Sequence, residues 1–172
     1  MKLLVIDIQK GITDSRLFNF EVFIDDTTRI IKAARDNQIE VIYFQHDDGA
    51  GTGFSIGDED FEIAEQVTPK DGEKKFIKNI NSCFGNKDFT DYVKNDNTLM
   101  IVGLQTNFCI DATVKSAFER GYKVIVPQGA NSTFDNDYMS GEETYKYYND
   151  MMWPKRFATC VSVDEAIKLM ES

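Results

Sequence analysis

Short, wholly apolar runs alternate along this chain with stretches in which apolar residues recur at every third or fourth position. The first kind reads as buried strands and the second as amphipathic helices. Strands are predicted over 3–8, 41–44, 75–77, 99–102, 124–126 and 158–161. Helices are predicted over 22–35, 89–93 and 142–152, with another running from Cys109 onward. A last helix opens on Ser162-Val-Asp-Glu165, in which the serine hydroxyl and the glutamate three residues later can satisfy each other's backbone amides. Residues 47–60 are rich in glycine and aspartate and read as a loop. Strands that are apolar on both faces need cover on both faces. The pattern therefore predicts a three-layer α/β/α fold with a mostly parallel sheet between helices. No linker, repeat or low-complexity tract interrupts it, so residues 1–172 are read as a single domain.

In sheets of this kind, function gathers at the carboxyl ends of the strands. Asp7 closes the first predicted strand, Lys78 follows the third, and Cys109 follows the apolar run over 99–102. Gly103 stops that run, a polar turn follows, and Ile110, Val114, Ala117 and Phe118 then recur at helical spacing. Cys109 thus falls in the first turn of a helix, where backbone N–H groups and the helix dipole favour a thiolate. Each of the three residues also has a plainer reading. A free cysteine is most often a small core residue, a strand-end aspartate is often a cap, and a lysine is usually on the surface. Together they make a coherent device. Cys109 would be the nucleophile, Asp7 would take and return its proton, and Lys78 would stabilise the thiolate. The backbone N–H groups of Gln105 and Cys109 would receive an oxyanion. Cys83 and Cys160 read as inert core cysteines.

Charge and composition narrow the partners. The chain has 172 residues, with 19 Lys and Arg against 29 Asp and Glu, a net charge of −10. There is no basic cluster, so nucleic acid is not an expected partner. No apolar stretch reaches membrane-spanning length, and the N-terminal run meets Asp7 too early for a signal segment. The three cysteines lack CxxC spacing, which argues against a disulfide framework or a zinc site. A reducing cytoplasm, a small-molecule substrate, no metal and no cofactor are expected.

Three segments carry a resemblance: Leu3-Leu-Val-Ile-Asp7-Ile-Gln9, then Phe76-Ile-Lys78-Asn-Ile-Asn-Ser82-Cys-Phe84, then Gly103-Leu-Gln-Thr106-Asn-Phe-Cys109-Ile-Asp-Ala-Thr113. In this order and spacing they resemble the isochorismatase-like cysteine hydrolases, a superfamily that includes nicotinamidases and carbamoylsarcosine amidohydrolases. The resemblance runs essentially end to end. It implies an Asp7, Lys78, Cys109 triad, a cis peptide at Leu104–Gln105, a parallel sheet with helices on both faces, and a homo-oligomer. There are departures. Nicotinamidases hold a metal with an aspartate and histidines after the second strand, whereas this chain has one histidine, His46, in Gln45-His46-Asp47-Asp48. That histidine reads as a loop residue or substrate contact more readily than as a ligand, and Asp47 and Asp48 add only a weak case for a metal. Where many relatives have an aspartate after the fourth strand, this chain reads Gly129-Ala-Asn131-Ser-Thr133.

Aromatic and polar residues near these strand ends are expected to shape a substrate pocket: Gln9, His46, Phe54, Phe84, Phe108 and Trp153, with Phe18 as a further candidate. The glycines before Phe54 suggest a phosphate loop only superficially, since no Gly-Lys-Ser/Thr follows. Tyr145, Tyr148 and Met152 read as packing surface. Gln9 stands where an aspartyl phosphatase would need a second acidic residue, which argues against that class. A silent binding protein on the same fold, or a thiol sensor using Cys83 as resolving cysteine, are the alternatives. The expected activity is cysteine-dependent hydrolysis of a small amide, imide or other C–N bond through a thioester.

Overall fold

In the computed structural model, which describes residues 1–171, the predicted alternation folds into a parallel sheet sandwiched between helices. In chain order the elements are β1 (Lys2–Ile6), α1 (Phe20–Asp36), β2 (Glu40–His46), β3 (Lys74–Lys78), α2 (Lys87–Val93) and β4 (Thr98–Leu104). There follow α3 (Asp111–Glu119), β5 (Lys123–Pro127), β6 (Asn131–Ser132), α4 (Gly141–Lys146), β7 (Thr159–Val161) and α5 (Val163–Met170). The strand order is β3-β2-β1-β4-β5-β7, with β6 added beside the end of β4, and every pairing is parallel.

Side chains alternate across each strand, so consecutive apolar residues enter opposite layers. Leu3 and Val5 of β1, Val41 and Tyr43 of β2, and Met100 and Val102 of β4 pack with Ile30 and Ala34 of α1 and Ala166 of α5. Their neighbours Leu4 and Ile6, Ile42 and Phe44, and Leu99 and Ile101 pack with Phe89 of α2 and Val114 of α3. Hence the central strands β1, β2 and β4 carry unbroken buried apolar runs, whereas β3 at the sheet edge reads Lys-Lys-Phe-Ile-Lys. The predicted capping box at Ser162 and Glu165 forms at the start of α5, and a second one forms at Ser140 and Glu143 before α4.

Four local departures bear on the site. The first strand ends at Ile6 instead of running to residue 8, because Asp7 takes a left-handed conformation (φ 53°). Aspartate tolerates this better than most residues. The predicted helix over 142–152 is α-helical only to Lys146 and continues as a wider π-helical turn, Tyr147–Met152. A similar turn, Thr106–Ile110, precedes α3 and contains Cys109. The two-residue β6 was not predicted from the sequence.

The chain crosses from one side of β1 to the other between β2 and β4, so the strand order reverses there. Ligands in open α/β sheets bind at such a point. Gly103 makes the close approach of β1 and β4 feasible: at φ +126°, an added Cβ would stand 2.0 Å from the carbonyl oxygen of Ile6. Among the described residues, no helix is long and apolar enough to cross a membrane.

Candidate active site

Asp7, Lys78 and Cys109 come together at this reversal point. Asp7 leaves β1, Lys78 ends β3 and Cys109 follows β4. Register explains the convergence: Ile6 pairs with Phe44 on one side and Gly103 on the other, and His46 of β2 pairs with Lys78 of β3. Lys78 is not a surface lysine. It is 3% exposed, and Asp7 is 1% exposed.

The Lys78 ammonium is the hub. Its Nζ donates to Asp7 Oδ2 at 2.7 Å and to Cys109 Sγ at 3.3 Å, and lies 3.0 Å from Nδ1 of His46. An ammonium has three donors and no acceptor. Nδ1 of His46 must therefore present a lone pair to it. The imidazole proton then sits on Nε2, which is 3.1 Å from Asp48 Oδ1 and can donate to it. Among the described residues, the other oxygen of Asp7, Oδ1, is buried and has no hydrogen-bond partner. A carboxylate oxygen left bare in this setting is ready to receive a proton.

Electrostatics depart from the sequence-based expectation of a thiolate. Burial, reinforced by the charge of Asp7, pushes the Cys109 thiol up to about 12, and Lys78 offsets this only in part. The helix-start position is thus outweighed by desolvation. Burial also raises the Asp7 carboxyl, against the pull of Lys78. For Lys78, burial acts downward, but Asp7 and the neighbouring thiols more than compensate and the net shift is upward. The directions for Cys109 and Lys78 support a neutral thiol beside an ammonium, and the 2.7 Å contact from that ammonium to Asp7 Oδ2 has the geometry of an ion pair. Burial pushes the fully buried Cys83 thiol up strongly, which makes it a poor resolving cysteine.

Asp7, His46 and Cys109 each offer a ligand atom within 4.8 Å of the others, a spacing that could gather a metal ion. All three are already engaged by the Lys78 ammonium. A metal cation placed among them would meet a fixed positive charge, so the donor set does not fit one.

A cavity of about 280 Å³ opens beside Cys109. Of the residues expected to line it, His46, Phe54 and Phe108 do so, and Gln105, expected as an oxyanion donor, is also in the wall. Gln9, Phe84 and Trp153 do not. Gln9 is fully buried beneath the site, where its carboxamide pairs with the backbone of His46 and reaches the Phe61 carbonyl. Phe84 packs in the core against Phe89 and Tyr122. Trp153 is 0% exposed, and its indole N–H donates to Asp111 at 2.9 Å. Phe18 lines a separate small cavity with Tyr145. Each of these is an aromatic or amide that the core or a backbone segment required, and composition alone does not distinguish that use from a pocket wall.

Sequence reading missed Ile12, Asp48, Asn81 and Leu104 as wall residues. Asn81 lies three residues after Lys78 and its Oδ1 accepts from the Cys109 thiol at 3.7 Å; that spacing was the available signal. It also missed the support beneath the turn that carries Cys109. Thr106 donates to Asn131 Oδ1 at 2.7 Å, and Asn131 and Asn149 exchange a reciprocal amide pair at 2.9 and 3.0 Å. The Thr133 hydroxyl contacts Gln105 Oε1 and Asn107 Oδ1. The Gly-Ala-Asn-Ser-Thr segment therefore braces this turn without the aspartate many relatives have there. The Leu104–Gln105 peptide is cis.

Comparison with known proteins follows the same lines. A family model described as the isochorismatase domain matches residues 2–165. The isochorismatase family protein YddQ of Bacillus subtilis is 30% identical over 138 residues, covering 76% of this chain and 77% of that protein. The family protein YrdC of the same organism is 26% identical over 96% of this chain and 93% of its own length. A crystal structure of a cysteine hydrolase from Pseudomonas syringae superposes with a TM-score of 0.89 at 22% identity, covering 99% of this chain and 92% of that one. At that identity the likeness speaks for the fold.

Proposed function

The chain belongs to the isochorismatase family, and on that footing we propose that it is a cysteine hydrolase that cleaves a C–N bond of a small amide or imide. The observation that carries this reading is the bare Oδ1 of Asp7 in a buried cluster whose other oxygen is held by Lys78 beside the Cys109 thiol. A base with an unused acceptor, next to a thiol pushed up to about 12, favours proton transfer during attack over a stored thiolate.

In this reading the substrate carbonyl enters the cavity next to Cys109. Asp7 takes the thiol proton as Sγ bonds to the carbonyl carbon, and the carbonyl π electrons move onto oxygen. The backbone N–H groups of Gln105 and Cys109, two residues of the same cavity wall, stabilise that oxyanion. Asp7 then returns the proton to the departing nitrogen as the C–N bond breaks, leaving a thioester on Cys109. Water, deprotonated by Asp7, attacks the thioester carbon; Cys109 leaves as its thiol and the acid is released. Lys78 acts throughout as a fixed positive charge, stabilising sulfur whenever it carries negative charge. Trapping the thioester tests the scheme. A panel of small amides and imides is incubated with the protein, quenched in acid and read by intact mass. An adduct on Cys109 that hydroxylamine removes, absent in Cys109→Ala, is the expected result. Turnover retained by Cys109→Ala on a confirmed substrate would overturn it.

A further inference from the structure

We infer that the cavity beside Cys109 selects amides or imides that carry no anionic group, with Asp48 at its wall receiving a hydrogen-bond donor or cationic substituent of the substrate; this rests on the hydrolase reading above. The charges around the cavity decide the matter. Its lining contains the carboxylates of Asp7 and Asp48, one imidazole, one thiol and the carboxamides of Asn81 and Gln105, with no arginine or lysine. The nearest cation, Lys78, has a side chain that is 0% exposed and is shared among Asp7, Cys109 and His46.

Asp7 is balanced by Lys78. Asp48 is not balanced, because its partner His46 turns a lone pair toward the ammonium and is therefore neutral. The Asp48 side chain is 54% exposed. A carboxylate accepts several hydrogen bonds, so Asp48 can hold His46 and still take a donor from a ligand. A substrate carboxylate or phosphate would bring a second negative charge to this wall with no cation to meet it. Such an uncompensated charge acts as rejection, which sets specificity as firmly as attraction does. The chain's net charge of −10 disfavours anions further on approach. The remaining walls, Ile12, Phe54, Leu104 and Phe108, are apolar and suit the hydrocarbon or planar part of the molecule. The volume, about 280 Å³, is at the small end for ligand pockets.

Matched alkylating reagents test this without knowing the substrate. Iodoacetamide is neutral and iodoacetate is anionic, and with both the sulfur, its proton lost to the buffer, bonds to the CH2 carbon and displaces iodide. Labelling at Cys109 is followed by peptide mass at one fixed alkaline pH, for the native protein, Asp48→Asn and a neutral cysteine peptide. The ratio of the two rates cancels differences in thiol reactivity, and asparagine keeps an oxygen that can accept from His46. The native protein is expected to disfavour iodoacetate about five- to tenfold more than the peptide does, and Asp48→Asn to remove most of that difference. A native ratio equal to that of the peptide, or one unmoved by Asp48→Asn, would overturn the inference and leave the hydrolase reading standing. If neither reagent labels Cys109, the cavity does not admit small ligands to the sulfur and the inference is overturned, while thioester trapping judges the hydrolase reading separately.

Discussion

His46 Nδ1 faces the Lys78 ammonium across 3.0 Å, an arrangement that requires a neutral imidazole with its proton on Nε2. His46 is therefore the third acceptor of the lysine, beside Asp7 and Cys109, and a positioning residue for the cluster. Replacing it with leucine would leave a buried N–H of Lys78 without an acceptor, at a cost of about 1–3 kcal/mol. His46→Leu is expected to lower kcat roughly tenfold or more, since a misplaced ammonium weakens both the carboxylate and the thiol geometry. His46→Gln, which offers an acceptor oxygen, is expected to recover part of that loss. Steady-state kinetics on any hydrolysed amide, with thermal melts alongside, would check it; wild-type kcat in His46→Leu would show that the contact has no catalytic use.

Asp7 has two effects on Cys109 that can be separated. It is the proposed base, so Asp7→Asn should reduce turnover by about 10²- to 10⁴-fold. Its charge also helps hold the thiol up, behind burial as the main cause. Removing the charge lowers the thiol pKa, and at any pH below that pKa a lower value means more thiolate. Asp7→Asn is therefore expected to alkylate faster than wild type while turning over more slowly. In the wild type, with the thiol at about 12, the labelling rate should keep rising with pH beyond about 8.5, where a free thiol begins to level off. Iodoacetamide rates across alkaline pH would read both effects. Slower labelling in Asp7→Asn would refute the assigned charge effect.

Much of this was legible in the sequence. Apolar strands feeding amphipathic helices fixed the layers, and Asp7, Lys78 and Cys109 stood out because each falls at or after the carboxyl end of a predicted strand. The resting thiol was not legible. Helix position is visible in a sequence, but the desolvation that outweighs it depends on tertiary packing around Cys109. Pocket walls were partly legible for a similar reason. Phe54 and Phe108 line the cavity while Phe84 and Trp153 fill the core, and nothing in residue type or local spacing separates the two pairs. The Thr106–Asn131–Asn149 network joins residues far apart in sequence through polar side chains, which leave no periodic signature.

Gly103 is the tightest point between β1 and β4. Its positive φ and the 2.0 Å approach of an added Cβ to the Ile6 carbonyl oxygen leave no room for alanine without moving one strand. Gly103→Ala is expected to destabilise the fold by about 3 kcal/mol or more, read as a lower urea midpoint or loss of soluble protein. A midpoint near that of wild type would mean that the two strands separate at little cost.

Phe108 and Trp153 offer the cleanest separation of pocket from core. Phe108 is 51% exposed at the cavity wall, whereas Trp153 is 0% exposed. Phe108→Ala removes a contact surface that the free protein leaves in water, so it is expected to raise KM severalfold with little change in melting temperature. Trp153→Phe keeps a ring in the core but deletes the N–H that Asp111 accepts. It is expected to cost about 1–3 kcal/mol of stability with KM unchanged. A rise in KM with Trp153→Phe, or an unchanged KM with Phe108→Ala, would place the substrate against a different wall from the one drawn here.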